Sequence, residues 1–215
     1  MQFKISHTIY SICSIINLFF TCNMAIAEDL PINTKKILFL GDSLTAGYGL
    51  EVSQSYPSLI LNKLQEGNFN YSVINAGISG DTTAGGLSRI KWLLKQEVSI
   101  VVIALGANDA FRGFDTEVTK NNLTKIVEAV REKNPKIKIL LAGMLAPPNM
   151  GVEYGKAYNA LFSNIAAEKQ LEFVPFLLKD VASKADLNLS DGIHPNEKGY
   201  LIIAETVWSK LKPML

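Results

Sequence analysis

The sequence is poor in the side chains that form disulfides and metal sites. Its 215 residues include two cysteines, Cys13 and Cys22, and two histidines, His7 and His194. Only His194 lies outside an N-terminal segment that we expect to be removed. The rest of the chain therefore offers no thiol for a disulfide or for a cysteine-based metal site. A cation would have to bind to carboxylates and water alone, and we predict no metal.

The chain also lacks an excess of charge of one sign. It carries 21 lysines and arginines against 20 aspartates and glutamates, and loss of Lys4 with the N-terminal segment would balance them. A balanced chain has no electrostatic preference for nucleic acid or for an anionic surface. We therefore expect no nucleic-acid partner.

The first residues have the pattern of a secretory signal peptide. Lys4 supplies a positive charge, residues 9–20 form an apolar stretch, and residues 25–27, Ala-Ile-Ala, form a small-x-small cleavage site. This pattern predicts a cleaved signal peptide at residues 1–27 and one mature domain at residues 28–215, periplasmic or secreted, without a stable membrane span. The alternative is that the apolar stretch remains as a membrane anchor, although polar side chains interrupt it.

Beyond this segment, short apolar runs alternate with longer amphipathic ones. Such alternation predicts an α/β fold in which a parallel sheet has helices on both faces. The predicted strands are residues 36–40, 71–74, 98–105, 137–142 and 173–175. The predicted helices are residues 56–65, 81–96, 116–133, 154–169 and a last one that begins at Asn196.

Ser43 and His194 are candidates for nucleophilic catalysis. Ser43 stands where the first strand gives way to a loop, and in parallel sheets active groups gather beyond the carboxyl ends of the strands. A serine nucleophile needs a base, and a carboxylate that orients the base, which His194 and Asp191 could supply. Residues 41–44 could alternatively be an ordinary turn, and His194 a residue at the start of the last helix.

An acyl-transfer site also needs donors for the oxyanion. The backbone N–H groups of Ser43 and Gly80 and the side-chain amide of Asn108 are the candidates, because they follow the first three strands. Two alternatives remain open at this point. Asp81 is predicted to cap the helix after Gly80, and Asn108 could shape a turn.

Four sequence blocks together resemble the SGNH (GDSL) hydrolase superfamily, named after Ser43, Gly80, Asn108 and His194. The blocks are residues 41–44 Gly-Asp-Ser-Leu, 79–82 Ser-Gly-Asp-Thr, 106–109 Gly-Ala-Asn-Asp and 191–196 Asp-Gly-Ile-His-Pro-Asn. Ala107 stands where some relatives have glycine. Residues 41–49 and 112–114 look most like the secreted bacterial thioesterase I, arylesterase and lysophospholipase group.

This resemblance implies a three-layer, flavodoxin-like α/β/α sandwich with a five-stranded parallel sheet. It also implies a cofactor-free serine hydrolase that acts on acyl esters and thioesters, lysophospholipids included. We expect such an enzyme to act as a monomer on small molecules. No Gly-x-Ser-x-Gly nucleophile elbow surrounds Ser43, which argues against the α/β-hydrolase fold.

The loop after the fourth strand could decide the choice of substrate. Its apolar residues could line an acyl channel or only cover the sheet edge. The candidate substrate-binding residues are Met144, Leu145, Pro147, Met150 and, beside His194, Ile193.

Two other functions remain as alternatives. A carbohydrate O-acetylesterase of the same superfamily would be expected to expose tryptophan for sugar stacking, whereas Trp92 and Trp208 are predicted to be core residues of helices. A non-catalytic module could bind phosphate at residues 41–49, but this segment lacks the Gly-Lys-Ser/Thr ending of a P-loop.

Overall fold

The computed structural model describes residues 34–215, so the predicted signal peptide lies outside the described residues. Five strands form one parallel sheet in the order β2-β1-β3-β4-β5, which is the strand order of flavodoxin-like folds. The predicted fold class is confirmed. The strands are β1 Lys35–Gly41, β2 Tyr71–Gly77, β3 Ile100–Ala104, β4 Lys138–Ala142 and β5 Glu172–Val174.

The central strands are buried on both faces. Residues 37–40 of β1 and 100–103 of β3 have no exposed surface. A strand covered on both faces needs apolar side chains at every position, which explains why these segments are continuous apolar runs and do not alternate. The core of the molecule lies along these two strands.

Helices cover both faces of the sheet. The described residues contain α1 Ser43–Ala46, α2 Tyr56–Glu66, α3 Thr83–Leu93, α4 Ala107–Phe111, α5 Thr116–Lys133, α6 Val152–Glu168 and α7 Glu197–Leu211. On one face α2 packs against α7, and on the other α5 packs against α3 and α6. The three layers agree with the predicted sandwich. The sequence did not predict α1 and α4, because helices of four and five residues have no readable periodicity.

The start of α3 differs from the prediction. The N-cap is Thr82, whose side chain accepts a hydrogen bond from the Gly85 N–H, and the helix ends at Leu93 instead of extending to Gln96. Asp81 does not cap α3, because its carboxylate instead forms an ion pair with Arg89 two turns along the helix. At α7 the prediction is confirmed, since Asn196 is the N-cap.

The prediction that Trp92 is a core residue is wrong. Its side chain is 66% exposed, because it lies two residues after the buried Ile90 and therefore on the other side of the helix. Trp208 is partly buried against the core, and its ring meets Phe69 edge to face. Trp92 lies in the last turn of α3, away from the carboxyl ends of the strands.

Between residues 34 and 215, no helix is both long and apolar enough to cross a membrane. The longest helix of this part of the chain, α5, has 18 residues and exposes charged side chains such as Glu117, Lys125 and Glu128.

Candidate active site

Ser43 is the first residue of α1 and directly follows the N-cap Asp42, which lies just beyond the end of β1. The Asp42 carboxylate accepts a hydrogen bond from the Leu44 N–H at 3.0 Å. On the other side of the helix, a Cβ atom added to Gly77 would lie only 2.2 Å from the Ala46 nitrogen, so the end of β2 packs directly against the backbone of α1. These contacts fix Ser43 relative to the sheet.

The three residues predicted to form a catalytic triad lie in one hydrogen-bonded chain. The Nε2 atom of His194 is 3.0 Å from the Oγ atom of Ser43, although the residues are 151 positions apart in sequence. The Nδ1 atom of His194 is 2.7 Å from an Asp191 carboxylate oxygen. Both distances are those of ordinary hydrogen bonds. The geometry suits a serine whose proton can pass to an imidazole that is oriented by a carboxylate.

A turn holds Asp191 in this position. Its second carboxylate oxygen accepts hydrogen bonds from the backbone N–H groups of Ile193 at 2.8 Å and His194 at 2.9 Å. The His194 backbone N–H and imidazole, together with the Ile193 N–H, lower the pKa of the Asp191 carboxyl to about 2. Asp191 is therefore ionised throughout the neutral range and presents a negative charge to the imidazole.

Tyr48 covers one side of the imidazole, a contact that the sequence did not predict. Its ring centroid is 4.3 Å from that of His194, and the two planes are tilted by 37°. The loop that carries Tyr48 also approaches the segment before Asp191, because a Cβ atom added to Gly49 would lie 2.6 Å from the Leu189 side chain. The loops after β1 and before α7 are thus in direct contact.

Gly80 lies in a tight turn after β2. The Asp81 N–H donates to the Ile78 carbonyl at 3.0 Å and closes the turn, in which Gly80 is the third residue with a φ of 79°. Glycine is favoured there because a side chain disfavours positive φ. The Gly80 carbonyl accepts a hydrogen bond from the Arg112 guanidinium at 2.9 Å.

Asn108 lies in α4 and reaches this turn. Its side-chain amide donates to the Asp81 carbonyl at 2.9 Å, so the amide is oriented by the segment that contains Gly80. One amide hydrogen makes this bond, and an amide has a second hydrogen for another acceptor. The neighbouring Asp109 carboxylate is buried and accepts hydrogen bonds from the backbone N–H and the hydroxyl of Thr83. The loops after β2 and β3 are therefore joined by side chains.

The carboxyl group of Asp42, the residue before Ser43, has an unusual pKa. Asp42 is 1% exposed, and burial raises the pKa of its carboxyl to about 7, against the opposing effect of the Leu44 N–H and with the charge of Asp81 adding to the rise. It therefore does not present a full, permanent negative charge beneath Ser43 at neutral pH. Its structural contribution is the cap on α1.

The candidate substrate-binding residues are not equally accessible. Met144 is 6% exposed and belongs to the core, so its burial favours a packing role. Leu145 and Ile193 are exposed, and Pro147 and Met150 are partly exposed. Sequence reasoning missed two further exposed apolar side chains, Phe111 and Phe114, in and after α4.

Comparisons with known proteins agree with this architecture. Residues 39–202 match the model of the GDSL-like Lipase/Acylhydrolase family. The chain is 38% identical over 180 residues to Esterase TesA of Pseudomonas aeruginosa, and this alignment covers 83% of this chain and 89% of the relative. It is 37% identical to Thioesterase 1/protease 1/lysophospholipase L1 of Escherichia coli K12, over 83% and 84% of the two chains.

Among solved structures, the fold is similar to that of the psychrotrophic esterase EstA from Pseudoalteromonas sp., in a structure inhibited by monoethylphosphonate. The TM-score is 0.78 at 34% identity, and the alignment covers 83% of this chain and 97% of EstA. With the family match over most of the chain, these similarities show that the protein belongs to the GDSL-like lipase/acylhydrolase family and is a carboxylic ester hydrolase.

Proposed function

We propose that this protein is an exported serine esterase that hydrolyses acyl esters and thioesters through an acyl-enzyme on Ser43. The observation that carries the proposal is the hydrogen-bonded chain from Ser43 through His194 to the ionised Asp191, with distances of 3.0 and 2.7 Å. A serine hydroxyl is barely ionised at neutral pH and becomes an effective nucleophile when a base accepts its proton.

In the first half of the reaction, Nε2 of His194 takes the proton of the Ser43 hydroxyl while Oγ attacks the acyl carbonyl carbon. The carbonyl π electrons move to its oxygen, and the resulting oxyanion accepts hydrogen bonds from the N–H groups of Ser43 and Gly80 and from the Asn108 amide. When the tetrahedral intermediate collapses, the bond to the alcohol or thiol breaks and the leaving group takes the proton from the imidazolium. Asp191 stabilises the imidazolium but remains ionised.

In the second half, water replaces the leaving group. His194 accepts a proton from the water as its oxygen attacks the acyl carbon, and the same three donors stabilise the second oxyanion. Collapse of this intermediate breaks the bond to Oγ, returns the proton to Ser43 and releases the carboxylic acid. No metal or cofactor takes part in either half.

Apolar side chains support an acyl substrate. Four apolar side chains are exposed: Phe111 and Phe114 after β3, Leu145 after β4, and Ile193 beside His194. One relative is named an esterase and another a thioesterase and lysophospholipase, and these names also point to acyl esters and thioesters. We therefore propose a medium or long acyl chain, with an oxygen or a sulfur leaving atom. That the enzyme is a monomer is proposed from the family resemblance alone.

Export is proposed on the sequence alone. The positive Lys4, the apolar residues 9–20 and the Ala-Ile-Ala site at residues 25–27 form the three parts of a signal peptide. N-terminal sequencing of protein recovered from the periplasm or the medium should begin at Glu28. A full-length form embedded in the membrane would show that the segment is an anchor.

Covalent labelling tests the mechanism. A fluorophosphonate probe should label the wild-type protein and fail to label Ser43→Ala, which also should not hydrolyse p-nitrophenyl esters. Ser79→Ala is the matched control, since Ser79 is an exposed serine at the same edge of the sheet, and it should keep the label. Labelling of folded Ser43→Ala would identify another nucleophile and refute the proposal.

A substrate panel tests the acyl specificity. p-Nitrophenyl esters of graded chain length, an acyl-CoA, a lysophospholipid and an acetylated sugar should be compared by kcat/KM. Preference for the longer acyl chains supports the proposed class. Preference for the acetylated sugar would favour the O-acetylesterase alternative, and absence of hydrolysis with every substrate would refute the proposed substrate class.

A further inference from the structure

Arg89 joins three backbone segments at the edge of the sheet. Its guanidinium donates to the Ala76 carbonyl at 2.6 Å, to the Gly41 carbonyl at 3.0 Å and to the Asp81 carboxylate at 2.9 Å. Ala76 and Gly41 are at the carboxyl ends of β2 and β1. The Arg89 and Asp81 side chains are only 16% and 11% exposed. One largely buried side chain therefore ties the ends of two strands to the loop that follows β2.

These three segments carry, or adjoin, the donors of the proposed oxyanion hole. Gly41 precedes Ser43 by two residues, and Asp81 directly follows Gly80. The Asp81 carbonyl also accepts the hydrogen bond that orients the Asn108 amide. Arg89 therefore contacts Gly41, two residues before Ser43, and Asp81, next to Gly80. Through Asp81 it is also linked to the Asn108 amide.

We propose that Arg89 is a positioning residue that holds the Gly80 N–H and the Asn108 amide in register with the Ser43 N–H. It touches no reacting atom, and this role rests on the proposed function above. Donors in an oxyanion hole have to lie within roughly 0.5 Å of their productive positions. The guanidinium is suited to the task because it is planar, always charged and able to donate in several fixed directions at once.

The required geometry explains why lysine is not an equivalent residue. A lysine ammonium is a point charge on a flexible stem and cannot reproduce the fixed fork of donors. In Arg89→Lys the charge next to Asp81 remains, but the links to the Ala76 and Gly41 carbonyls are weakened. The variant therefore tests donor placement more than charge.

The experiment measures kcat and KM of Arg89→Lys with a p-nitrophenyl ester, well below the temperature of unfolding. Because donor placement matters mainly in the transition state, kcat should fall about 10- to 100-fold while KM changes less than about two-fold. Arg131→Lys is the matched control. Arg131 also donates to a backbone carbonyl, that of Lys169, but it lies in the last turn of α5, away from the candidate site. This variant should keep wild-type kcat.

A double-mutant comparison separates positioning from a general effect on the fold. In the Asn108→Ala background one of the positioned donors is already missing, so Arg89→Lys should lower kcat by a smaller factor than it does in the wild type. Folded Arg89→Lys with wild-type kcat, or a loss that multiplies fully with that of Asn108→Ala, would overturn the proposal.

A second variant keeps the test decisive if Arg89→Lys does not fold. Asp81→Asn removes the charged partner of Arg89 on the loop that carries Gly80, while the bonds from Arg89 to the two strand ends remain. It should also lower kcat, and its effect should combine with that of Asn108→Ala less than multiplicatively. Absence of either would overturn the role of Arg89. Failure of the proposed function itself would give a different result, because folded Ser43→Ala would then still be labelled by the fluorophosphonate probe.

Discussion

The phenol ring of Tyr48 lies across the imidazole of His194, with 4.3 Å between the ring centroids. The hydrogen bonds to Ser43 and Asp191 fix the two nitrogen atoms of the imidazole in its plane, whereas Tyr48 restrains the ring from one face. An aromatic face also attracts a cation, so Tyr48 should favour the imidazolium that the proposed mechanism forms when Ser43 attacks. The tyrosine itself is 49% exposed, which keeps it at the mouth of the site.

Replacement of Tyr48 should therefore slow catalysis in a way that depends on the ring. Loss of a partly exposed cation–π contact in Tyr48→Ala should lower kcat by about 3- to 10-fold. Tyr48→Phe retains the aromatic face and should stay within about two-fold of wild type. Steady-state kinetics on a p-nitrophenyl ester measure both, and equal rates for the alanine variant and the wild type would show that the contact is incidental.

Asp191→Asn should have a much larger effect. Asparagine can still accept the backbone hydrogen bonds of Ile193 and His194, so the turn should persist while the negative partner of the imidazole is lost. By analogy with serine proteases, kcat should fall by about 10⁴-fold. Asp186→Asn is the control, because Asp186 is an exposed carboxylate in the same segment. Near-normal turnover in Asp191→Asn would remove Asp191 from the triad.

Asn108→Ala should slow the chemistry without weakening substrate binding. Removal of one oxyanion donor typically costs about 10²–10³-fold in kcat, and KM should stay nearly constant because the bond forms mainly in the transition state. Asn121→Ala, at an exposed position of α5, is the control. If folded Asn108→Ala keeps wild-type turnover, the amide serves only to hold the Asp81 carbonyl.

The raised pKa of Asp42 predicts a pH dependence of stability. Its pKa is about 7 in the folded protein and about 3.9 when unfolded, so between these values the folded state holds the extra proton. The free energy of unfolding should therefore decrease as pH rises from about 4 to 7, by up to about 1.4 kcal/mol per pH unit from this group, and then level off.

Urea unfolding at a series of pH values measures this effect. Asp42→Asn can retain the cap on α1 but cannot titrate, so the difference in unfolding free energy between variant and wild type isolates the contribution of Asp42. A difference that does not vary with pH would show that folding does not raise the pKa of this carboxyl.

Activity should survive removal of metal ions. No group of three or more His, Cys, Asp or Glu side chains within residues 34–215 is arranged to hold a cation. Hydrolysis of a p-nitrophenyl ester should be unchanged after dialysis against EDTA. Complete loss, restored by a divalent ion, would contradict the serine mechanism.

The sequence predicted that distant segments meet at one edge of the sheet, because their positions follow from two simple rules. Continuous apolar runs marked the buried strands, and the carboxyl ends of parallel strands meet at one edge. Ser43 and His194 could therefore be paired although they are 151 residues apart. α5 was also predicted with the boundaries that the structure has, since its apolar period is regular over 18 residues.

What the sequence did not predict depends on choices between equivalent local partners. Asp81 and Thr82 are both good N-caps, and the ion pair with Arg89, eight residues along the chain, removes Asp81 from the competition. The contact between Tyr48 and His194 joins two loops whose conformations no periodicity describes. Trp92 is different, because the sequence already shows that it follows Ile90 by two residues and so lies on another side of the helix.

The backbone contact between Gly77 and Ala46 has a consequence for the evolution and engineering of this enzyme. Any side chain at position 77 would displace α1 and with it Ser43, so this position at the end of β2 tolerates little variation. The side chains of Leu145 and Ile193, in contrast, are exposed, so they can be replaced without displacing α1. Libraries aimed at new acyl specificities should therefore vary these exposed side chains and leave Gly77 at the end of β2 untouched.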